Sequence, residues 1–370
     1  MLLDSSDMEL LRLAGSCQCL PFQGTEALRS LAPVRARAEA LALTGLLSIS
    51  RNRRYLTPTG RGYELLSHCG YPYVPAGKRP YAGSPALRRR LETGAVMLCC
   101  ARAGIKTLDR VEDLIQQPVF LPAYALRTGG RNLMNASTCI GFGHWNDTAY
   151  MLHYVGCEAP GLYLSNELSC FHALASAFDP KLSTPMEAVW VGESYGALHS
   201  ALTDQTPSPR HNRQGFVDFW KAYDALGIPV HLLAFDDTGV MQLGMMRQPE
   251  YRSRLAKAAL GSRLMPGDNV IPDTDGFVDQ SPLVIAVDMD LKRIFTVCKY
   301  ARQRGSREVL VAALAEQMKA LLIPLLQQEG NVRALRIGPQ VWEAAFGTNG
   351  LFIHDDPPPA AGPGGELIYV

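Results

Sequence analysis

The sequence has almost no net charge. Its 36 Lys and Arg stand against 35 Asp and Glu over 370 residues, a formal +1. No global field therefore selects nucleic acid, anionic membrane or acidic substrates, and any such preference has to be local. Long apolar runs are missing as well: none reaches the roughly 20 residues of a bilayer-crossing helix. The opening stretch MLLDSSDMELLRLAG puts Asp4, Asp7 and Glu9 where a secretory leader needs positive charge. A cytoplasmic protein with no membrane partner is the expectation. Nine cysteines, an odd number scattered along the chain, make no disulfide framework and suit a reducing compartment. Neither G-x-x-x-x-G-K-[ST] nor G-x-G-x-x-G occurs, so both glycine-rich phosphate cradles are absent and no cofactor is expected.

What is present suits a folded chain. With 47% hydrophobic and 19% charged residues it can bury a sizeable core, and its length suggests roughly two or three domains. Residues 1–75 form one pattern, with helices expected at 7–14, 25–31 and 33–44 and Gly45 as the last stop signal. Strands are expected at 46–50 and 55–56, joined by the basic turn Arg51-Asn52-Arg53-Arg54. Thr57 and Pro58 would then open a helix reaching His68. Three helices, a hairpin and a helix is the order of a winged helix-turn-helix. The segment GYPYVPAGKRPYAGSP punctuates the chain, so 76–84 reads as a linker and a fragment ending near Ala82 is expected to fold.

Residues 85–345 read as a mixed α/β domain, divisible into 85–205 and 206–345, so the fold class expected is α/β (α+β). Helices are expected at 85–103 and 166–178, from Tyr195, at 215–226 and, long and amphipathic, at 307–327. Strands are expected at 120–126, 137–142, 148–155, 188–191, 230–235 and 283–287. The proline-rich 355–370 reads as a flexible tail whose last residues, from Leu367, can add an edge strand.

From Arg29 to Arg61 the cations are Arg29, Arg35, Arg37, Arg51, Arg53, Arg54 and Arg61, against the single acid Glu39. A nearly neutral chain thus carries a basic face. Arginine suits it because the guanidinium fork binds phosphate oxygens or guanine edges in bidentate fashion. Arg35 and Arg37 flank the outer side of the third helix, while Arg51, Asn52, Arg53 and Arg54 tip the wing, with Arg61 behind. Tyr55, Leu56, Thr57 and Gly60 resemble the wing-end signature of MarR- and PadR-type winged-helix regulators. That resemblance covers about the first 70 residues and implies binding to double-stranded DNA, as a monomer or a homodimer. The stretches STCIGFGHWNDTAYMLHYVG and AVWVGESYGAL are more loosely similar to winged-helix proteins of bacterial plasmids and conjugative elements, including the replication-relaxation type. This implies a regulator or a replication or transfer accessory protein of a mobile element.

Three catalytic or metal patterns compete with a plain structural reading. Gly192-Glu193-Ser194-Tyr195-Gly196 has the G-x-S-x-G form of a nucleophile elbow, with Asp236 or Asp237 and His354 following in triad order. The acid arrives only about forty residues after the serine, too soon for the strands expected between them, so Ser194 is read as a helix N-cap. Asp273, Asp290 and Lys292 read as P-D followed by D-x-K, the carboxylates and lysine of a Mg²⁺-dependent nuclease, with Asp290 and Lys292 sharing a strand face. The helix, three strands and helix of such a nuclease fit better at 85–180, where the strands offer almost no acids. His153, Cys157, Cys170 and His172 have metal-ligand chemistry, but the Cys-x-His spacing is too tight and core packing is preferred. No catalytic residue or metal is assigned. A nuclease or, behind it, a serine hydrolase is the alternative to a DNA-binding protein.

Overall fold

The computed structural model describes residues 2–22, 32–71, 73, 83–107, 118–124, 139–155, 161–163, 167, 169–170, 172–173, 185–203, 216–218, 227–267, 271–305, 308–327, 331–347 and 368–369. The chain begins with β1 (Leu2–Leu3), α1 (Ser5–Cys17), β2 (Leu20–Pro21), α2 (Ala32–Leu43), β3 (Leu47–Ile49), β4 (Tyr55–Pro58) and α3 (Gly60–His68). Asp4 caps α1 in a capping box with Asp7. β2 pairs with β4 and β4 with β3, both antiparallel, giving a three-stranded sheet beside α2. The helix expected at 25–31 lies outside the described residues. Thr57 does not open the last helix of this unit. Thr57 and Pro58 extend β4 opposite Ser48 and Leu47, and Thr59 is the cap, its hydroxyl accepting from Gly62 N at 3.1 Å.

The chain continues through α4 (Pro85–Arg102), capped by Ser84, then β5 (Lys106–Thr107), β6 (Val119–Pro122), β7 (Gly141–Trp145), β8 (Thr148–Tyr154), β9 (Gly161–Tyr163), β10 (Met186–Gly192), α5 (Tyr195–Thr203), β11 (Phe216–Asp218) and β12 (Val230–Ala234). The mixed α/β class is observed. A six-stranded sheet runs in the order β12-β10-β8-β7-β6-β5, with β6, β7 and β8 an antiparallel meander and β8, β10 and β12 parallel. The helix expected at 215–226 is corrected where it is described, since β11 pairs there with β9.

Next come α6 (Asp237–Met246), α7 (Tyr251–Leu260), β13 (Gly276–Val278), β14 (Ser281–Ile285), α8 (Leu291–Gln303), β15 (Val309–Leu314), α9 (Ala315–Gln317), a π turn at Met318–Leu322, α10 (Ile323–Leu326), β16 (Val332–Ile337) and α11 (Pro339–Phe346). A second sheet has the order β13-β14-β15-β16, its last three strands parallel. The long helix expected at 307–327 is therefore wrong in its first half. Every residue of β15 is buried, and a strand covered on both faces is a continuous apolar run with no alternation to betray it. The sheets divide after β12, not at residue 205, and they touch where His231 bridges Asp290. In the tail, β17 (Ile368–Tyr369) pairs antiparallel with β1.

One apolar core joins the N-terminal unit to the rest. It contains Leu10, Leu11 and Leu13 of α1, Leu56 and Leu66, then Val96 and Leu98 of α4, and reaches Leu310 of β15. Gly94 of α4 lies so close to the N-terminal unit that a Cβ there would stand 2.8 Å from Cys19 O. The residues of the expected linker are largely undescribed, but the elements on either side of it share their packing. Among the described residues, no helix is long and apolar enough to cross a membrane.

Candidate functional site

The β3–β4 turn is built by Ser50. Its hydroxyl accepts from the backbone N–H of Arg54 at 2.9 Å and of Tyr55 at 3.1 Å, and donates to Asn52 Oδ1 at 3.0 Å. Asn52 therefore shapes the turn in addition to being exposed on it. Arg51, Arg53 and Arg54 are all exposed, and among the described residues the guanidinium groups of Arg51 and Arg54 make no ion pair or hydrogen bond. Arg53 is different. Its guanidinium binds Glu39 of α2 and lies 5.1 Å from the centroid of the Phe22 ring. Arg35 Nε is 3.8 Å from the same Glu39 oxygen, and its guanidinium is 5.6 Å from the same ring.

The other two expected contacts are tied into the fold. Arg37 Nη1 donates to both oxygens of Asp4, at 2.6 and 2.5 Å, and reaches Asp7 at 3.4 Å, so it staples α2 to the first turn of α1. Arg61 donates to Thr44 O at 3.2 Å, satisfying a carbonyl at the end of α2.

The carboxylate pattern does not assemble as a D-x-K strand. β14 ends at Ile285; Asp290 is the N-cap of α8, accepting from Arg293 N at 3.1 Å, and Lys292 sits in the helix's first turn. Asp273 is exposed, and its carbonyl accepts from Arg293 at 3.3 Å. The carboxylates that matter structurally are two that sequence reasoning passed over. Asp275 receives Arg293 at 2.9 and 3.0 Å and Ile285 N at 2.6 Å. Asp288, with no exposed surface, receives Tyr251 Oη at 2.7 Å and Arg252 Nε at 2.8 Å.

His231 on β12 joins this network to the first sheet. Nδ1 faces Asp288 O at 3.0 Å and Nε2 faces a Glu187 carboxylate oxygen at 2.6 Å. Both partners can only accept, so the ring donates from both nitrogens and is an imidazolium. Burial alone would depress its pKa; the Glu187 carboxylate outweighs that, helped by Asp290 and Asp288, and lifts it to about 9. Burial likewise opposes ionisation of Asp288, yet Arg252 and Arg293 hold it well below the carboxylate range. These paired charges link the two sheets where His231 of β12 meets the residues that lead into α8.

Comparison with family models, curated proteins and solved structures finds no match.

The remaining candidates take structural places. Ser194 is exposed and begins α5, its hydroxyl accepting from Ala197 N at 3.1 Å and its carbonyl from Leu198 N at 3.0 Å. Asp236 caps α6 through Gly239 N at 2.9 Å, and Asp237 lies in that helix's first turn. His354 lies outside the described residues. Both visible members of the expected triad thus cap helices after neighbouring parallel strands. The next residue, Tyr195, makes the tertiary contact: its hydroxyl donates to Gln242 at 2.5 Å and accepts from Gln317 at 3.2 Å, all three buried. No sequence pattern marks that trio. His153 is buried, and burial depresses its pKa to about 4, so it is neutral. Cys170 is buried and Cys157 is outside the described residues. Among the described residues, no three His, Cys, Asp or Glu side chains gather to hold a metal ion.

Proposed function

We propose that the chain binds double-stranded DNA through the β3–β4 hairpin and the neighbouring α2, as a cytoplasmic regulator or a replication or transfer accessory protein of a mobile element. The observation that carries the reading is the hairpin tip, where exposed Arg51 and Arg54 have no acid partner among the described residues, in a chain whose charges otherwise nearly balance. Meeting phosphates breaks no ion pair that these two make among the described residues, and it releases counterions condensed on the DNA. The order of α1, β2, α2, β3, β4 and α3, with the hairpin beside α2, supports a winged helix in which α2 enters the major groove.

The test is a salt titration of duplex binding by the intact chain and by the triple variant Arg51→Ala, Arg53→Ala, Arg54→Ala. Losing two or three phosphate contacts should flatten the slope of log affinity against log salt by about two to three and weaken binding at every salt concentration. Equal affinity and slope in the two proteins would remove the hairpin from the interface.

A further inference from the structure

Two arginines from different elements converge on one carboxylate. Arg35 comes from α2 and Arg53 from the hairpin turn, yet both guanidinium groups stack on Phe22 and both address the same Oε1 of Glu39. Phe22 is buried, with 2% of its surface exposed, so the platform beneath them is fixed by the core. Arg53 also holds a left-handed backbone, φ 53°, where glycine or asparagine would be less strained. Keeping an arginine there against that strain points to a use for its side chain. Glu39 is also the single acid among the cations from Arg29 to Arg61.

We propose that Arg35 and Arg53, stacked on Phe22, form a phosphodiester-binding site that Glu39 occupies as an internal substitute for the phosphate. A carboxylate oxygen and a phosphate oxygen present the same acceptor to a guanidinium fork. In the free protein Glu39 orients the two cations and offsets one of their two charges. On DNA the phosphate takes its place and Glu39 swings aside, so every encounter begins with the breaking of an internal ion pair. The site is then a brake: it weakens binding to any duplex, and more at low salt, where the internal pair is strongest.

The proposal rests on the DNA-binding reading, and the experiment separates the two. Duplex binding is measured against salt for the full chain, Glu39→Gln, Glu64→Gln, Arg53→Ala and the double variant Glu39→Gln with Arg53→Ala. Glu64 lies exposed on α3, and its substitution removes the same charge without touching either arginine. Glu39→Gln should tighten binding about fivefold to tenfold at low salt, with a slope steeper by about one to two. Glu64→Gln should have a much smaller effect. In the Arg53→Ala background the gain from Glu39→Gln should largely vanish. Binding by the natural chain with no gain in Glu39→Gln, an equal gain in Glu64→Gln, or a gain that survives Arg53→Ala overturns the brake and leaves the DNA reading standing. No binding by any form overturns both.

Discussion

His231 and His153 are both buried and sit in opposite protonation states. His231 is an imidazolium whose pKa is raised from the ordinary 6.5 to about 9, so its stabilisation is complete below 6.5 and is lost as pH rises through 9. His153 is neutral with its value depressed to about 4, so the unfolded chain takes up that proton first and stability falls as pH drops from 6.5 towards 4. The two limbs meet near pH 6.5. Each should amount to something on the order of 3 kcal/mol, measurable as the denaturation midpoint between pH 4 and 9. His231→Gln should lower stability at pH 6.5 and flatten the alkaline limb. A chain equally stable at 6.5 and 9 would contradict the imidazolium. At this scale the sequence was legible for Ser194, where the short spacing to Asp236 favoured a cap over a nucleophile. At Asp290 it placed a strand where a helix begins, and the bond from the Arg293 backbone N–H is what marks the residue as a cap.

Helices announced by a cap followed by polar periodicity were legible: Ser84 and Pro85 open α4, and Pro85 needs no backbone N–H there. α6 and α8 begin in the same way, at Asp236 and Asp290, yet neither helix was expected, because those acids were weighed only as candidates for chemistry and not as caps. β15 was missed for a different reason, burial on both faces. The cap at α8 has a measurable worth. Asp290→Ala should cost about 1–2 kcal/mol by leaving a buried N–H unsatisfied, whereas Asp290→Asn keeps the acceptor and should melt close to the natural chain. If asparagine proves as damaging as alanine, the carboxylate's charge matters and the capping account fails. The basic hairpin was legible as a cluster of cations, but its division of labour was not. Which arginine is held by Asp4, by Glu39 or by no described residue depends on contacts between elements.

Across the whole molecule, long-range contacts tie distant parts of the chain together. Arg12 of α1 donates to Thr107 O of β5 at 2.8 Å, Gln317 reaches Tyr195, and Arg254 donates to Ala345 O at 2.7 Å. α1 buries most of its residues and packs against α2, α3 and α4. A fragment ending near Ala82 keeps the hairpin but loses the cover that α4 gives α1. It is expected to melt without a cooperative transition, while the intact chain melts cooperatively. A sharp transition in the fragment would mean that the first 82 residues close a core of their own. The boundary was read from proline and glycine content, which marks where a chain turns and says nothing of what packs across the turn.

The cover that α4 gives α1 also sets an order of events during synthesis. The ribosome releases α1 long before α4, and at about 5–20 residues per second the gap lasts several seconds. Through that interval Cys17 and Cys19, buried in the finished protein and lying against Gly94, remain open to water. Nascent chains halted before α4 emerges should react with a maleimide at both thiols, and chains halted well after it should not. The thiols of the N-terminal unit are sealed only when an element some seventy residues further along the chain arrives.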